Sequence, residues 1–246
     1  MRQIVLDTET TGFEAEGSDR IVEIGCLELF NHMPTGKTFH VYTNPERMMP
    51  DEAFGVHGIG PDLLEPPQDP KPGQVTLRDK PLFKEVAQGF LDFVQDSQMV
   101  IHNAKFDMRF LNAELKRNGF RTLPMEQSLD TLAMARKKFP GSPATLDALC
   151  RRYGIDNSNR VLHGALLDSE ILADVYLEMI GGRQPDFGLS AVAGTGATEG
   201  TVGDDWRPFP RPAKLPPRIT EEETAAHATF VDKMGDDALW KKLSEQ

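Results

Sequence analysis

The sequence predicts an α/β domain followed by a tail of different composition. Three observations lead there. Strand-like apolar runs come first, at residues 3–7, 21–30 and 37–43. Runs with apolar residues at helical spacing follow, interrupted by one further short strand at 99–101. After Gly182 both periodicities stop, and Gly, Ala, Thr and Pro take over. The chain therefore reads as a folded domain over 1–182, a flexible linker over 183–217 and a short helical segment over 218–246.

The first strand, 3–7, leads through two carboxylates to a turn at Gly12. The second carries Ile21, Val22, Ile24, Cys26, Leu27 and Leu29, residues 31–36 are rich in turn formers, and 37–43 is the third strand. Connections this short suit antiparallel neighbours. Residues 50–59 form a short helical turn and a loop, and the Pro-rich stretch 65–80 reads as a solvent loop. Leu82, Val86, Phe90 and Phe93 place a helix over 81–95. The buried strand 99–101 runs into His102 and Asn103. Asn103 is the expected N-cap of a helix over 104–118, Phe106, Phe110 and Ala113 are its apolar stripe, and Gly119 is its stop. Residues 128–131 open a helix that ends near Phe139, a further helix spans 145–153, and the last helix of the domain runs from Gly164 to about Met179.

Composition narrows the function. Of 246 residues, 39% are hydrophobic, low enough to leave part of the chain unpacked. The net charge of −11 argues against coating nucleic acid by bulk electrostatics. No apolar run could span a bilayer and the start shows no secretory pattern, so no membrane partner and a cytoplasmic location are expected. Cys26 and Cys150 sit in apolar segments and read as buried free thiols.

Asp7 and Glu9 are two apart on a strand, so they point to one face. Two buried like charges repel and ask for a cation, and a hard ion such as Mg2+ or Mn2+ suits oxygen ligands. Taken alone, the pair also fits a solvated strand end. Asp168 shares a helical stripe with Leu172, Val175 and Met179, which turns this carboxylate inward. Asp107 sits in the first turn of its helix, where the helix dipole alone would favour an anion. His163 precedes the last helix, beside Gly164. Together the five suit phosphodiester hydrolysis by two cations about 3.5–4 Å apart, with an imidazole to take a proton near neutral pH.

Asp7-Thr8-Glu9-Thr10-Thr11-Gly12, Asn103-Ala104-Lys105-Phe106-Asp107 and His163-Gly164-Ala165-Leu166-Leu167-Asp168 resemble the three motifs of the DEDD exonucleases, His-containing branch. More narrowly, the segments 53–59, 146–150, 155–158 and 162–168 are similar to those of the epsilon proofreading subunits of bacterial DNA polymerase III. The resemblance is dense from Arg2 to about Gly182. It implies an RNase H-like fold, a mixed sheet flanked by helices. It implies removal of mispaired 3′ nucleotides as deoxynucleoside monophosphates, with two Mg2+ or Mn2+ ions held by Asp7, Glu9, Asp107 and Asp168 and with His163 as general base. It also implies that Glu52 and His57 lie against the terminal nucleotide, beside Asp7, Glu9 and Asp168.

The tail extends the resemblance. Gln184-Pro185-Asp186-Phe187-Gly188-Leu189 is similar to the peptide by which such subunits bind the sliding clamp (beta), with Gln184, Phe187 and Leu189 as anchors suited to a groove. Residues 218–246, with Phe230, Val231, Met234, Leu239 and Trp240, are too few to bury a core alone and correspond to the segment that binds the catalytic (alpha) subunit. A small theta-like subunit is a further implied partner. The rivals are an RNA exonuclease of the same superfamily, which should lack the tail, and a non-catalytic bridge between polymerase and clamp, which should have lost the acidic set.

Overall fold

The computed structural model describes residues 1–158, 160, 162–181 and 219–235. By contacts the chain divides into two units, Met1–Ser190 and Ala191–Gln246. The first unit is built on a five-stranded sheet of β1 (Arg2–Thr10), β2 (Ile21–Phe30), β3 (Met33–Tyr42), β4 (Gln98–Ile101) and β5 (Ser128–Asp130), in the order β3-β2-β1-β4-β5. The first three strands pair antiparallel, as their short connections predict, and β1–β4 and β4–β5 pair parallel. The sheet is therefore mixed. Strand β5 has three residues, too few to show an alternation, and reading 128–131 only as a helix start missed it.

Two further expectations are corrected here. The turn expected over 31–36 occupies only Asn31 and His32, whose φ values of 50° and 65° make the tight hairpin turn that matches strand twist. β3 begins at Met33 and carries Pro34, tolerated because this is an edge strand. The ladder slips between Leu27 and Leu29, a bulge that absorbs the irregularity. The Pro-rich stretch is exposed over 65–73 but folds back beyond it. Leu77 is fully buried with Val22, Met49 and Ile59, and the Asp62 carboxylate accepts the Leu77 and Arg78 N–H groups, each at 3.0 Å. Val75, partly buried against the same cluster, and Leu77 are the two apolar side chains behind this return, too few to show a period.

Helices cover both faces. On one, α2 (Phe83–Val94) and α3 (Ala104–Arg117) bury Phe90, Leu91, Met108 and Leu111 against Ile4 and Leu6 of β1. On the other, α5 (Leu146–Tyr153) and α6 (Ala165–Met179) bury Leu149, Cys150, Leu172 and Val175 against Val5 and Val100, joined by Ala135 of α4 (Thr131–Lys138). Cys26 and Cys150 are buried free thiols, as expected. A short helix α1 (Asp51–His57) lies beyond β3 in sequence. In the second unit, the helix α7 (Glu221–Lys233) starts with a capping box between Thr220 and Glu223. Gln184, Phe187, Leu189 and Trp240 lie outside the described residues. Among the described residues no helix is long and apolar enough to cross a membrane.

Candidate active site

β1 pairs with β4 from Gln3 to Leu6 only, so Asp7 and Glu9 project past the end of β4. Chain order reverses here, with β2 on one side of β1 and β4 on the other, which opens a crevice at the carboxyl ends of the parallel strands. Parity assigns the side chains. Val5 packs toward α6, so Asp7 and Glu9 face that helix, which carries Asp168. Thr8 faces α3, and its N–H and hydroxyl donate to Asp107 Oδ1 at 3.1 and 2.7 Å. The ladder slips between Glu9 and Thr10, a bulge at the rim of the crevice.

α6 can approach because Gly25 of β2 lies opposite Asp7 and has no side chain. A methyl there would overlap the backbone of Ala165 and Leu166. Ser169 Oγ donates to the Gly25 carbonyl at 2.9 Å, and Asp168 is left buried beside the strand. Just before the helix, the His163 N–H donates to the Val56 carbonyl of α1 at 3.2 Å, and His163 Nδ1 lies 3.2 Å from Asp168 Oδ2. Glu9, His163 and Asp168 each offer a ligand atom within 4.8 Å of the others.

Asn103 is the N-cap of α3, as expected, but in an unusual form. Its φ of 67° is left-handed and its side chain makes no cap bond. Its own N–H donates to Asp130 Oδ1 at 3.1 Å, an oxygen that also caps α4. A cleft of about 720 Å3 holds Asp7, Glu9, Asp107, His163 and Asp168 on its walls. A second recess of about 590 Å3 shares Thr8, Glu9 and Phe106 with it and is lined by Glu52, His57 and Phe13. All seven residues expected in the catalytic domain thus surround two adjoining hollows.

A family model described as "Exonuclease" matches residues 4–176. The DNA polymerase III subunit epsilon of Escherichia coli is 45% identical over 255 residues, covering 98% of this chain and 97% of the relative. That of Rickettsia conorii is 50% identical over 190 residues, covering 76% and 77%. The chain belongs to the exonuclease family of the DNA polymerase III epsilon subunits. Among solved structures, an exonuclease I shares the fold, with a TM-score of 0.58 at 16% identity, over 73% of this chain and 40% of that one.

The electrostatics of this exonuclease fit a cationic cofactor. Burial, then repulsion from Asp107 and Glu9, holds the Asp7 carboxyl well above the usual range. Burial, then the charges of Glu23 and Asp168, pushes Glu9 up to about 8. Burial lifts Asp107 to about 7 against the bonds from Thr8. Three crowded carboxylates of this kind are the oxygen donor set that a hard divalent ion takes, and such an ion would relieve their repulsion. For Asp168, burial pulls upward but hydrogen bonds from His163 and Arg160 win, and its pKa is lowered.

Arg160 escaped the sequence reading. Its guanidinium donates to both oxygens of Asp168 and to Asp147, and it lies 2.7 Å from His163 Nδ1. It sits on an irregular segment between helices, where no spacing marks it. Phe106 was expected in a core stripe. It does pack on Phe110, but it also meets the exposed Phe13 edge-on at 6.2 Å and lines both hollows. His57 accepts the Ile59 N–H on Nδ1 at 3.0 Å, while its buried Nε2 has no partner among the described residues. Burial lowers its pKa to about 4, so the ring is neutral at physiological pH.

Proposed function

We propose that this exonuclease works 3′→5′ on DNA within DNA polymerase III, releasing mispaired terminal nucleotides as deoxynucleoside monophosphates. The observation that carries the reading is the convergence of Asp7, Glu9, Asp107, Asp168 and His163 on one cleft that opens into an aromatic recess. The four carboxylates would hold two divalent ions, Mg2+ or Mn2+. Two ions held there would supply an activated water and a counter-charge for the leaving oxygen.

The protein's own groups do the rest. His163 Nδ1 can donate to Asp168 Oδ2, which leaves Nε2 to take a proton from the attacking water. The water oxygen forms the new P–O bond on the terminal phosphodiester, the bond to the upstream O3′ breaks, and O3′ takes a proton from solvent to leave a 3′-hydroxyl. Phe13 and Phe106 offer stacking faces to the terminal base. Glu52 and the unpartnered Nε2 of His57 supply polar contacts to the same nucleotide.

Partner contacts follow the tail. Gln184, Phe187 and Leu189 would seat in a groove of the sliding clamp, and 218–246 would bind the alpha subunit. A theta-like subunit would complete the set. Tethering to the polymerase raises the local concentration, so a chain of net charge −11 needs little intrinsic affinity for DNA. The test is nucleotide release from a primer with a mispaired 3′ end, with Mg2+ or Mn2+ or with chelator, beside RNA of the same sequence. Fast, ion-dependent release from DNA supports proofreading. A preference for RNA moves the reading to RNA turnover, and no hydrolysis by folded, ion-loaded protein leaves the bridging role.

A further inference from the structure

Glu23 is a buried carboxylate on β2 that the mechanism does not use. It is 2% exposed and pairs directly across the ladder from Glu9. Like charges opposite one another destabilise a sheet, so a glutamate at this position adds to a repulsion that Asp7, Glu9 and Asp107 already create. It is not on the wall of the catalytic cleft, and both of its oxygens are engaged. Oε1 meets His40 Nε2 at 2.7 Å, and Oε2 accepts the Ala165 N–H at 2.9 Å.

The second bond matters because of what α6 lacks. The N-cap of α6 is Gly164, which has no side chain to receive the orphan N–H groups of the first turn. Glu23 supplies that acceptor from the sheet, and its charge sits where the helix dipole favours an anion. Asp168 closes the first turn of the same helix, its N–H donating to the Gly164 carbonyl at 2.8 Å. The Glu23–Ala165 bond and the Ser169–Gly25 bond therefore pin α6 to β2 on either side of Asp168 in sequence.

We infer that Glu23 is a positioning residue that acts as a remote cap of α6 and sets Asp168 against Glu9 for ion binding. The inference rests on the reading of Asp168 as an ion ligand. The experiment is Mn2+ titration of the full chain, with free ion followed by electron paramagnetic resonance and folding by circular dichroism.

Glu23→Ala should weaken Mn2+ binding about 10–100-fold, the usual effect of losing a partner that orients a ligand. Glu23→Gln keeps an oxygen for the Ala165 N–H and should stay within about threefold of the wild type. Ala165→Pro removes the donor instead. Proline suits the first helical position, and Gly164 at φ −155° and ψ 127° already has the extended backbone that precedes proline. Ala165→Pro should weaken binding like Glu23→Ala, and the double variant should lose no more Mn2+ affinity than either, since all three lose the Glu23–Ala165 bond. Asp168→Asn is the control. If it loses Mn2+ while Glu23→Ala and Ala165→Pro bind as the wild type does, Glu23 is not a positioning residue. If Asp168→Asn binds normally, the ligand reading of Asp168 fails and the inference with it. Should Glu23→Ala not fold, Ala165→Pro decides between the same outcomes.

Discussion

Arg160 grips Asp168 by both oxygens, Nε to Oδ1 at 2.5 Å and Nη2 to Oδ2 at 2.6 Å. The pair is buried, with the two side chains 8% and 5% exposed. A protein cation thus sits on the carboxylate that the proposed chemistry assigns to a metal ion. His163 Nδ1 is involved as well. It can accept from Arg160 Nη2 or donate to Asp168, but not both at once. Where Arg160 goes when an ion arrives therefore decides which nitrogen of His163 is free.

In the ion-free protein, Arg160→Ala should lower stability by about 2–4 kcal/mol, because it strands a buried charge. An ion can replace the lost guanidinium. Mn2+ should then raise the melting temperature of the variant by more than that of the wild type. Equal shifts in the two proteins would show that Arg160 and the ion do not share Asp168.

Stability without ions should fall as pH rises through about 7 to 8. The sign follows from linkage. Glu9 and Asp107 have folded-state pKa values of about 8 and about 7, above their ordinary 4.5 and 3.8. Between those limits the folded protein binds more protons than the unfolded chain, so raising the pH favours unfolding. Their stabilisation is complete below the unfolded values and gone above the folded ones. Asp168 acts oppositely, losing its contribution as pH falls below its ordinary 3.8. Melting curves from pH 5.5 to 9 in chelator should slope downward, and Mn2+ should flatten the slope. A flat profile in chelator would mean that the carboxylates are not crowded as described.

His163→Ala should cut hydrolysis by about 10²–10⁴-fold, the range for a lost general base, with little change in melting temperature. Asp7→Asn should abolish most hydrolysis and make the fall of melting temperature with rising pH in chelator shallower, since it removes one of the crowded carboxyls that must ionise. Loss of activity explained by unfolding of either variant would refute the assigned roles.

Much of this arrangement was legible in the sequence, because it depends on parity and period. The alternation along β1 put Asp7 and Glu9 on one face, and the Leu172, Val175 and Met179 stripe turned Asp168 inward. What stayed hidden depends on contacts between distant segments. Arg160 and Glu23 have no periodic partner, and their roles arise only when α6 docks on β2. Asn103 stands at the N-cap of α3 as its type suggests, but its left-handed backbone and the bond of its N–H to Asp130 could not be read from the sequence. The return of the Pro-rich segment rests on Val75 and Leu77 and on Asp62.

Gly25 offers the sharpest contrast between a residue's chemistry and its effect. It has no functional group, but it lies opposite Asp7 and under the first turn of α6. Gly25→Ala forces a methyl into the Ala165 and Leu166 backbone, which cannot yield as a side-chain tip would. Overpacking of this kind costs about 1–3 kcal/mol. The helix must lift or slide, carrying Asp168 away from Glu9, so Mn2+ affinity and hydrolysis should fall together. Gly89 in α2 is the control, because a methyl there meets only a Phe39 ring carbon at 3.6 Å, an ordinary contact. Gly89→Ala should stabilise the domain by about 0.5–1 kcal/mol through helix propensity and leave hydrolysis unchanged. Normal Mn2+ affinity in Gly25→Ala would mean that the seat of α6 on β2 does not set the position of Asp168.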